Sequence, residues 1–425
     1  MSTIFVILII VLAFSGAPLF TIIGGLALYL FATSNIDTSA VIIELYRIAD
    51  TPTLIAIPLF TFAGYMLAES CSAQRLVNLA QALFGWFRGG LAIVVLLTCA
   101  FFTAFTGASG VTIIALGGLL YPMLIKEHYP ERFSLGLVTA AGSIGLLFPP
   151  SLPIIIYGMT AEASIDKLFV AGVVPGVVLI LVVAIYSVMM GRKGQVPRVP
   201  FNISNALRTT KEATWELLIP VIIIGGIYGG FITVTEAAAV TAMYVFVIEF
   251  FVYRDLSIKK DMPRVMRESM VLVGSILAII GVALGLTNYL VDDQVPQKLF
   301  EFVQAEISSP LLFLLILNGF LIIVGMMMDI FSAILVVVPL ILPIAKGFGI
   351  DPVHLGIIFL MNLEIGFLTP PVGLNLFMSS LRFEKPVLTV ARDVLVFLGL
   401  ELVALLLVTY VPDLSLWLVR LTGIQ

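Results

Sequence analysis

The residues with the most chemical promise are two proline pairs, Pro149-Pro150 and Pro370-Pro371, the only Pro-Pro dipeptides in the chain and 221 residues apart. Each ends an Ile-Gly-x-Leu-x-Pro-Pro pattern, built on Ile144-Gly145-Leu146-Leu147 in one half and Ile365-Gly366-Phe367-Leu368 in the other. Proline has no amide donor and clashes with the carbonyl four residues back, so two in succession stop a helix. The carbonyls freed before such a break can hold a small hard cation, and the amides that open the next half-helix can hold an anion. A site coupling sodium to an organic acid needs both. A kink used only for packing is the plainer alternative, and it would have to apply twice.

Such breaks require a particular setting. Of the 425 residues, 60% are apolar and only 11% are charged, and the mean hydropathy is +1.16. Soluble domains average about 25% charged residues, so a soluble enzyme, a nucleic-acid binder and a disordered chain are excluded. Continuous apolar runs, rather than alternating ones, predict an all-α polytopic membrane protein instead of a barrel. In lipid an unpaired peptide group costs several kcal/mol, so broken helices must face protein or a cavity. The N-terminus lacks the basic stretch of a signal peptide, and its apolar run is expected to be retained. Cys71 and Cys99 show no metal-ligand spacing and are expected to be small buried thiols.

About ten crossings are expected, near 3–16, 17–34, 52–70, 133–160, 168–190, 214–233, 235–253, 269–290, 353–380 and 389–411, two of them broken. Regions 90–125 and 310–345 each hold two apolar arms joined at small or polar residues. The first is broken at Thr106–Gly110, leaving arms of about 15 residues, or ~22 Å, against a hydrocarbon core of ~30 Å. Re-entrant helical hairpins are the expectation, with two full spans as the alternative. Mixed patterns at 38–50, 72–87 and 199–213 read either as surface helices or as connecting loops. The charge run from Arg254 to Glu268 reads as a solvated loop.

With the N-terminus outside, 17 Lys and Arg fall on the cytoplasmic side, among them Arg88, Arg198 and Arg254, and 5 fall outside (Arg47, Lys167, Lys298, Lys346 and Arg420). The positive-inside rule prefers this orientation. The first hairpin then enters from the cytoplasm and the second from outside. The 221-residue offset also relates Leu119-Leu120-Tyr121-Pro122 to Leu340-Ile341-Leu342-Pro343. An inverted repeat follows: 1–190 with hairpin 90–125 and broken helix 133–160, a cytoplasmic linker at 191–213, and 214–425 with hairpin 310–345 and broken helix 353–380. Paired, inverted breaks are the sequence pointer to a secondary transporter's site.

Isolated acids within apolar runs are the other candidates. A charge at mid-membrane costs roughly 3 kcal/mol on insertion scales. Asp329 reads as an ion-linked residue or as the cap of the second hairpin arm. Thr235 and Glu236 read as a helix start. Glu364 reads as a site partner or a bundle contact, and Glu249 as a snorkelling acid or a partner of Arg254. His128 and His354 are expected to be exposed or capping.

The chain resembles the large membrane subunit of tripartite ATP-independent periplasmic (TRAP) transporters. The resemblance rests on Phe105–Thr112, Gly145–Ser151, Thr235–Ala239, Gly325–Asp329, Gly349–His354 and Thr369–Leu376. It covers essentially the whole chain, and the last two motifs together are highly specific. It implies an elevator-type, sodium-coupled importer of organic acids in a bacterial inner membrane. It also implies a small four-helix membrane subunit, expected here as a separate chain, and a periplasmic substrate-binding protein. By carry-over, one sodium site would lie between Gly107, Ser109 and Gly110 and Gly145 and Pro149. A second would lie between Asp329 and Ser332 and Gly366, Thr369 and Pro371. Substrate would sit between them, with Ser151, Asn375, Thr369 and Ser109 as polar contacts. Ala108 stands where the family's first hairpin usually carries Ser, which leaves backbone carbonyls as the ligands there.

Competing classes fare worse. No His-Glu-x-x-His run, no Gly-x-Ser-x-Gly beside a base and no phosphate loop occur, which speaks against an intramembrane enzyme or an ATP-driven pump. A channel would need a continuous polar pore. A stand-alone sodium–dicarboxylate carrier is the remaining alternative. The substrate could be a dicarboxylate, a sugar acid or a sulfonate.

Overall fold

The computed structural model describes residues 8–9, 11–12, 17–48, 51–86, 89–193, 200–307 and 309–423, and all regular secondary structure among them is helical. The expected crossing at 3–16 lies mostly outside the described residues, as do Arg88 and Arg198. Eight described helices are long and apolar enough to span a bilayer, and a ninth candidate is the bent pair Glu131–Leu147 and Leu152–Thr160, which turns by 46° at the first proline pair. The chain is a multi-span membrane protein. The expected spans at 17–34 and 214–233 appear as helices Leu19–Thr33 and Thr214–Tyr228, of 15 residues each.

Both hairpins form. The first joins arms Gly90–Thr106 and Ser109–Lys126 through Gly107 and Ala108, and the second joins Pro310–Met327 and Ile330–Gly347 through Met328 and Asp329. Their arms have 17 and 18 residues rather than about 15, or ~27 Å of helix at 18 residues. Three of the four arms are thus long and apolar enough to cross a bilayer, and arm length does not separate re-entry from two full spans. The stretches expected as surface helices or loops are helical at Ser39–Arg47, Ser72–Phe84 and Ile203–Glu212.

Each hairpin packs by the same rule. Its first arm lies against the helix leading into the break of its own half: Gly90–Thr106 on the 3-10 turn Ile144–Leu147, and Pro310–Met327 on Pro352–Gly366. Its second arm crosses to the helix leaving the break of the other half. Ser109–Lys126 packs on Leu374–Phe383, and Ile330–Gly347 packs on Leu152–Thr160. This exchange locks the two halves into one core. Both Pro-Pro bonds are cis.

Several local expectations are corrected by packing. The helix at 234–247 is capped by Thr233, not Thr235, in a capping box: Glu236 N donates to Thr233 Oγ1 (3.3 Å), and Thr233 N donates to Glu236 Oε2 (2.8 Å). Glu249 does not pair with Arg254. It accepts from Ser72 Oγ at 2.7 Å and lies 3.4 Å from Arg75, whose guanidinium also bonds Glu216 and Asp255 and sits 3.6 Å from the Tyr253 ring centroid. One cation thus ties together three carboxylates from the ends of two spans. From Met262 onward the charge run is the first turns of the long helix Met262–Asp292, not a loop. His354 is buried rather than exposed, with ring nitrogens 2.6 Å from Ser415 Oγ and 3.3 Å from Thr409 O. His128 is exposed as expected. Cys99 is buried, but Cys71 is exposed, because it precedes a helix at the edge of the bundle.

Candidate functional site

The two breaks need close backbone approach, and glycine supplies it at equivalent places. A Cβ on Gly145 would fall 2.2 Å from Ala100 O and 2.8 Å from Ala104 N. A Cβ on Gly366 would fall 2.5 Å from Gly325 C and 2.9 Å from Met326 N. Ala104 and Gly325 are themselves 221 residues apart, so the repeat extends from sequence to packing. The turns also dock on the breaks. Gly107, at φ +64°, lies against Leu152, and Gly373 N donates to Met326 O at 3.1 Å. At both breaks the glycine carbonyl closes a tight turn: Gly145 O accepts from Phe148 N, and Gly366 O accepts from Thr369 N, each at 3.0 Å. A carbonyl has two lone pairs, so each keeps one acceptor site for a further ligand.

The two hairpin turns line one cavity of about 350 Å³. The first contributes Gly107 to Val111 and the second Asp329 to Phe331, with Leu146, Phe367 and Leu374 of the breaks beside them. Helix Met262–Asp292 closes the side with Leu272, Ser275, Ile276 and Ile279. Most of the wall is apolar, as in ordinary small-molecule sites, with few polar groups to orient a ligand.

Of the residues proposed for sodium and substrate, Gly107, Ser109, Gly110 and Asp329 line this cavity. Asp329 caps the second arm, accepting from Phe331 N (3.0 Å), Ser332 N (3.1 Å) and Ser332 Oγ (2.5 Å). Its capping role is thus present, while it stays partly exposed to the cavity. Gly145, Gly366 and Ser332 lie buried behind the turns, and Pro149, Thr369 and Pro371 are less covered. Thr369 Oγ1 donates to Ile365 O at 2.8 Å. Ser151 is fully buried, and its hydroxyl has no partner.

Asn375 does not open onto the cavity. It stands behind Ser109, whose hydroxyl donates to Asn375 Oδ1 at 2.6 Å, and its own amide donates to Ser143 Oγ (3.2 Å) and Thr139 O (3.4 Å). Thr103 Oγ1 donates to Gly142 O at 2.7 Å and lies 2.8 Å from Thr112 Oγ1. Ser143, Thr139, Thr103, Thr112 and Ser275 were not singled out from sequence. Single hydroxyl residues in apolar helices usually bond the preceding turn, as Ser275 does to Val271 O at 2.8 Å, and carry no signal of their own. Glu401 was missed although it did carry a signal, as a lone acid in an apolar run.

Residues 4–414 match the family described as "Tripartite ATP-independent periplasmic transporter, DctM component". The C4-dicarboxylate TRAP transporter large permease protein DctM of Pseudomonas aeruginosa is 39% identical, over 95% of this chain and 94% of that one. The isethionate TRAP transporter permease protein DctMQ of Oleidesulfovibrio alaskensis is 37% identical, over 95% of this chain and 65% of that longer one. The ectoine/5-hydroxyectoine TRAP transporter large permease protein UehC of Ruegeria pomeroyi is 31% identical, over 98% of both. The solved structure of the YdaH transporter of Alcanivorax borkumensis, described as having an unusual topology, shares the fold at 13% identity, with a TM-score of 0.64 over 90% of this chain and 88% of that one. These relatives are named as permease subunits rather than enzymes. The match is continuous from the first apolar run to beyond the last span, and the chain belongs to the DctM family of TRAP transporter large permease subunits.

Proposed function

We propose that this chain is the translocating subunit of a sodium-coupled importer of small organic anions in a bacterial inner membrane. Substrate is delivered by a periplasmic binding protein, and a small membrane subunit completes the complex, as membership of a tripartite family suggests. The observation that carries the reading is the meeting of two repeat-related hairpin turns and two broken helices around one cavity. Sodium suits this site because its donors are hard oxygens: carbonyls at the turns and breaks, the Ser109 hydroxyl and the Asp329 carboxylate. The organic anion would take the space between, near the amide ends of Leu152–Thr160 and Leu374–Phe383. Two copies of one element, flipped, give two nearly equivalent states, and an elevator movement of the hairpin-and-break core between them would alternate access.

The substrate to try first is a C4-dicarboxylate, the compound class in the names of three relatives. Uptake into proteoliposomes holding this chain and its small subunit is expected only with an inward sodium gradient and the cognate binding protein. Uptake with sodium but no binding protein would mean a stand-alone carrier. Uptake unaffected by sodium would remove the coupling ion from the account.

A further inference from the structure

A second cavity, of about 320 Å³, lies away from the hairpin turns, between the start of helix Glu131–Ala141, the end of Ile165–Lys193 and the start of Val387–Tyr410. Its floor is aromatic. Phe133, Tyr186 and Phe397 form a closed triangle with ring centroids 5.6–5.9 Å apart, and Met190 and Val396 extend that apolar surface. Arg132 and Arg392 also line the cavity, and both are exposed where Phe133 and Phe397 are buried, so they stand at its mouth. Arg132, Lys385 and Arg392 all gather at this end of the spans, which by the positive-inside rule faces the cytoplasm.

The cavity carries a net positive charge, because its charged lining residues are the two arginines and Asp393. Asp393 is already engaged. Its Oδ1 lies 3.4 Å from Arg392 Nε, and its side chain is 4% exposed against 57% for that of Arg392. Glu131, next to Arg132 in the chain, pairs instead with Lys385 at 2.6 Å. Arg132 makes no ion pair among the described residues, so its charge is left for a ligand.

The surroundings select the kind of anion. Val396 belongs both to the cavity and to a stripe of exposed apolar residues, Val396, Val403 and Leu407, running away along its helix. On the facing helix Val177, Leu181, Ile185 and Met189 are exposed at four-residue spacing, which puts them on one face beside Tyr186 and Met190. A free phosphate would meet the arginines but gain nothing from the aromatic floor or the stripes. A phospholipid uses all three, with its phosphate at the arginines and its acyl chains along the apolar faces. Basic pockets between spans on the cytoplasmic side suit anionic headgroups in this way.

We propose that this cleft binds an anionic phospholipid of the cytoplasmic leaflet, its phosphate held by Arg132 and Arg392. The place gives the lipid a role. Helix Glu131–Ala141 leads into the first break, and Val387–Tyr410 follows Leu374–Phe383, the half-helix that leaves the second. These two helices pack on each other, so one headgroup ties together segments of both repeat units, beside the Glu131–Lys385 pair that already links them. The lipid is a structural ligand of the core, and its binding stabilises the fold around the two breaks.

The test uses the chain with its small subunit, stripped of lipid in detergent and titrated with phosphatidylglycerol, with phosphatidylcholine of the same acyl chains, or with inorganic phosphate. Native mass spectrometry counts bound lipid, and thermal unfolding reads what binding does to the core. The wild type is expected to hold phosphatidylglycerol about fivefold or more tightly than phosphatidylcholine and to melt at a higher temperature with it. Arg132→Gln should weaken phosphatidylglycerol binding by about fivefold and remove most of the thermal shift, while Arg132→Lys, which keeps the charge, should retain both. Equal binding of the two lipids, or an Arg132→Gln complex that holds phosphatidylglycerol as the wild type does, would overturn the proposal. Inorganic phosphate that displaces the lipid and stabilises the complex as much would also overturn it, since the cleft would then take a soluble anion. Arg132 is exposed, so its variants are expected to fold; should Arg132→Gln not, Arg392→Gln compared in the two lipids gives the same reading.

Discussion

The two hairpin-and-break units share a backbone plan but not a set of side chains. Gly145 lies on Ala104 as Gly366 lies on Gly325, and each second arm crosses to the other unit's outgoing half-helix. Polar groups break the correspondence at the same 221-residue offset. Ala108 matches Asp329, Ser143 matches Glu364, and Ile154 matches Asn375. The first turn's second arm therefore begins with no side-chain cap, while the second turn's arm is capped by a carboxylate. Backbone contact distances constrain both units equally, because no side chain fits where two main chains touch. Polar side chains that meet no facing main chain are free of that limit, and there the halves differ. The backbone plan is symmetric and the polar side chains are not.

The largest effect is expected at the shared part. Gly145→Ala and Gly366→Ala each force a Cβ into backbone, and overpacking of this kind costs about 1–3 kcal/mol. Thermal unfolding and uptake assays should show loss of similar size in both variants, with transport reduced at least tenfold. A severe effect at one glycine and none at the other would break the equivalence of the two units.

A middle effect is expected where the units differ. Asp329→Asn keeps a side chain that can cap, so stability should change by no more than about 0.5 kcal/mol. The half-saturating sodium concentration should nevertheless rise by roughly tenfold, since a neutral amide replaces a carboxylate at the cavity edge. Unaltered sodium activation would confine Asp329 to capping. The smallest effect belongs to Ala108→Ser, which supplies the missing cap on the first unit. A stability gain of up to ~1 kcal/mol is expected, read as a raised melting temperature with uptake retained. A loss of stability would mean that the first turn has no room for the hydroxyl.

Much of this plan is legible in the sequence alone. Pro-Pro pairs in apolar runs leave few options for a backbone in lipid, and Asp329 stood out because an acid there is costly. Two of the misreadings share a cause: partners distant in sequence. Glu249 finds Arg75 rather than Arg254, five residues on, because the helix Ser72–Phe84 folds across the end of its span. His354 meets Ser415, on a helix that packs beside it. The line from Ser109 to Asn375 to Ser143 joins three ordinary polar residues that periodicity cannot relate. Glu401 obeyed the rule that exposed Asp329 and could have been found with it.

The most direct test is a structure of this chain with its small subunit in lipid, solved by electron microscopy in sodium and a transported organic anion. Substrate density is expected in the cavity between the two hairpin turns, with cation density against the Gly145 and Gly366 breaks. Substrate bound elsewhere, with the cavity between the turns closed or lipid-filled, would contradict the account.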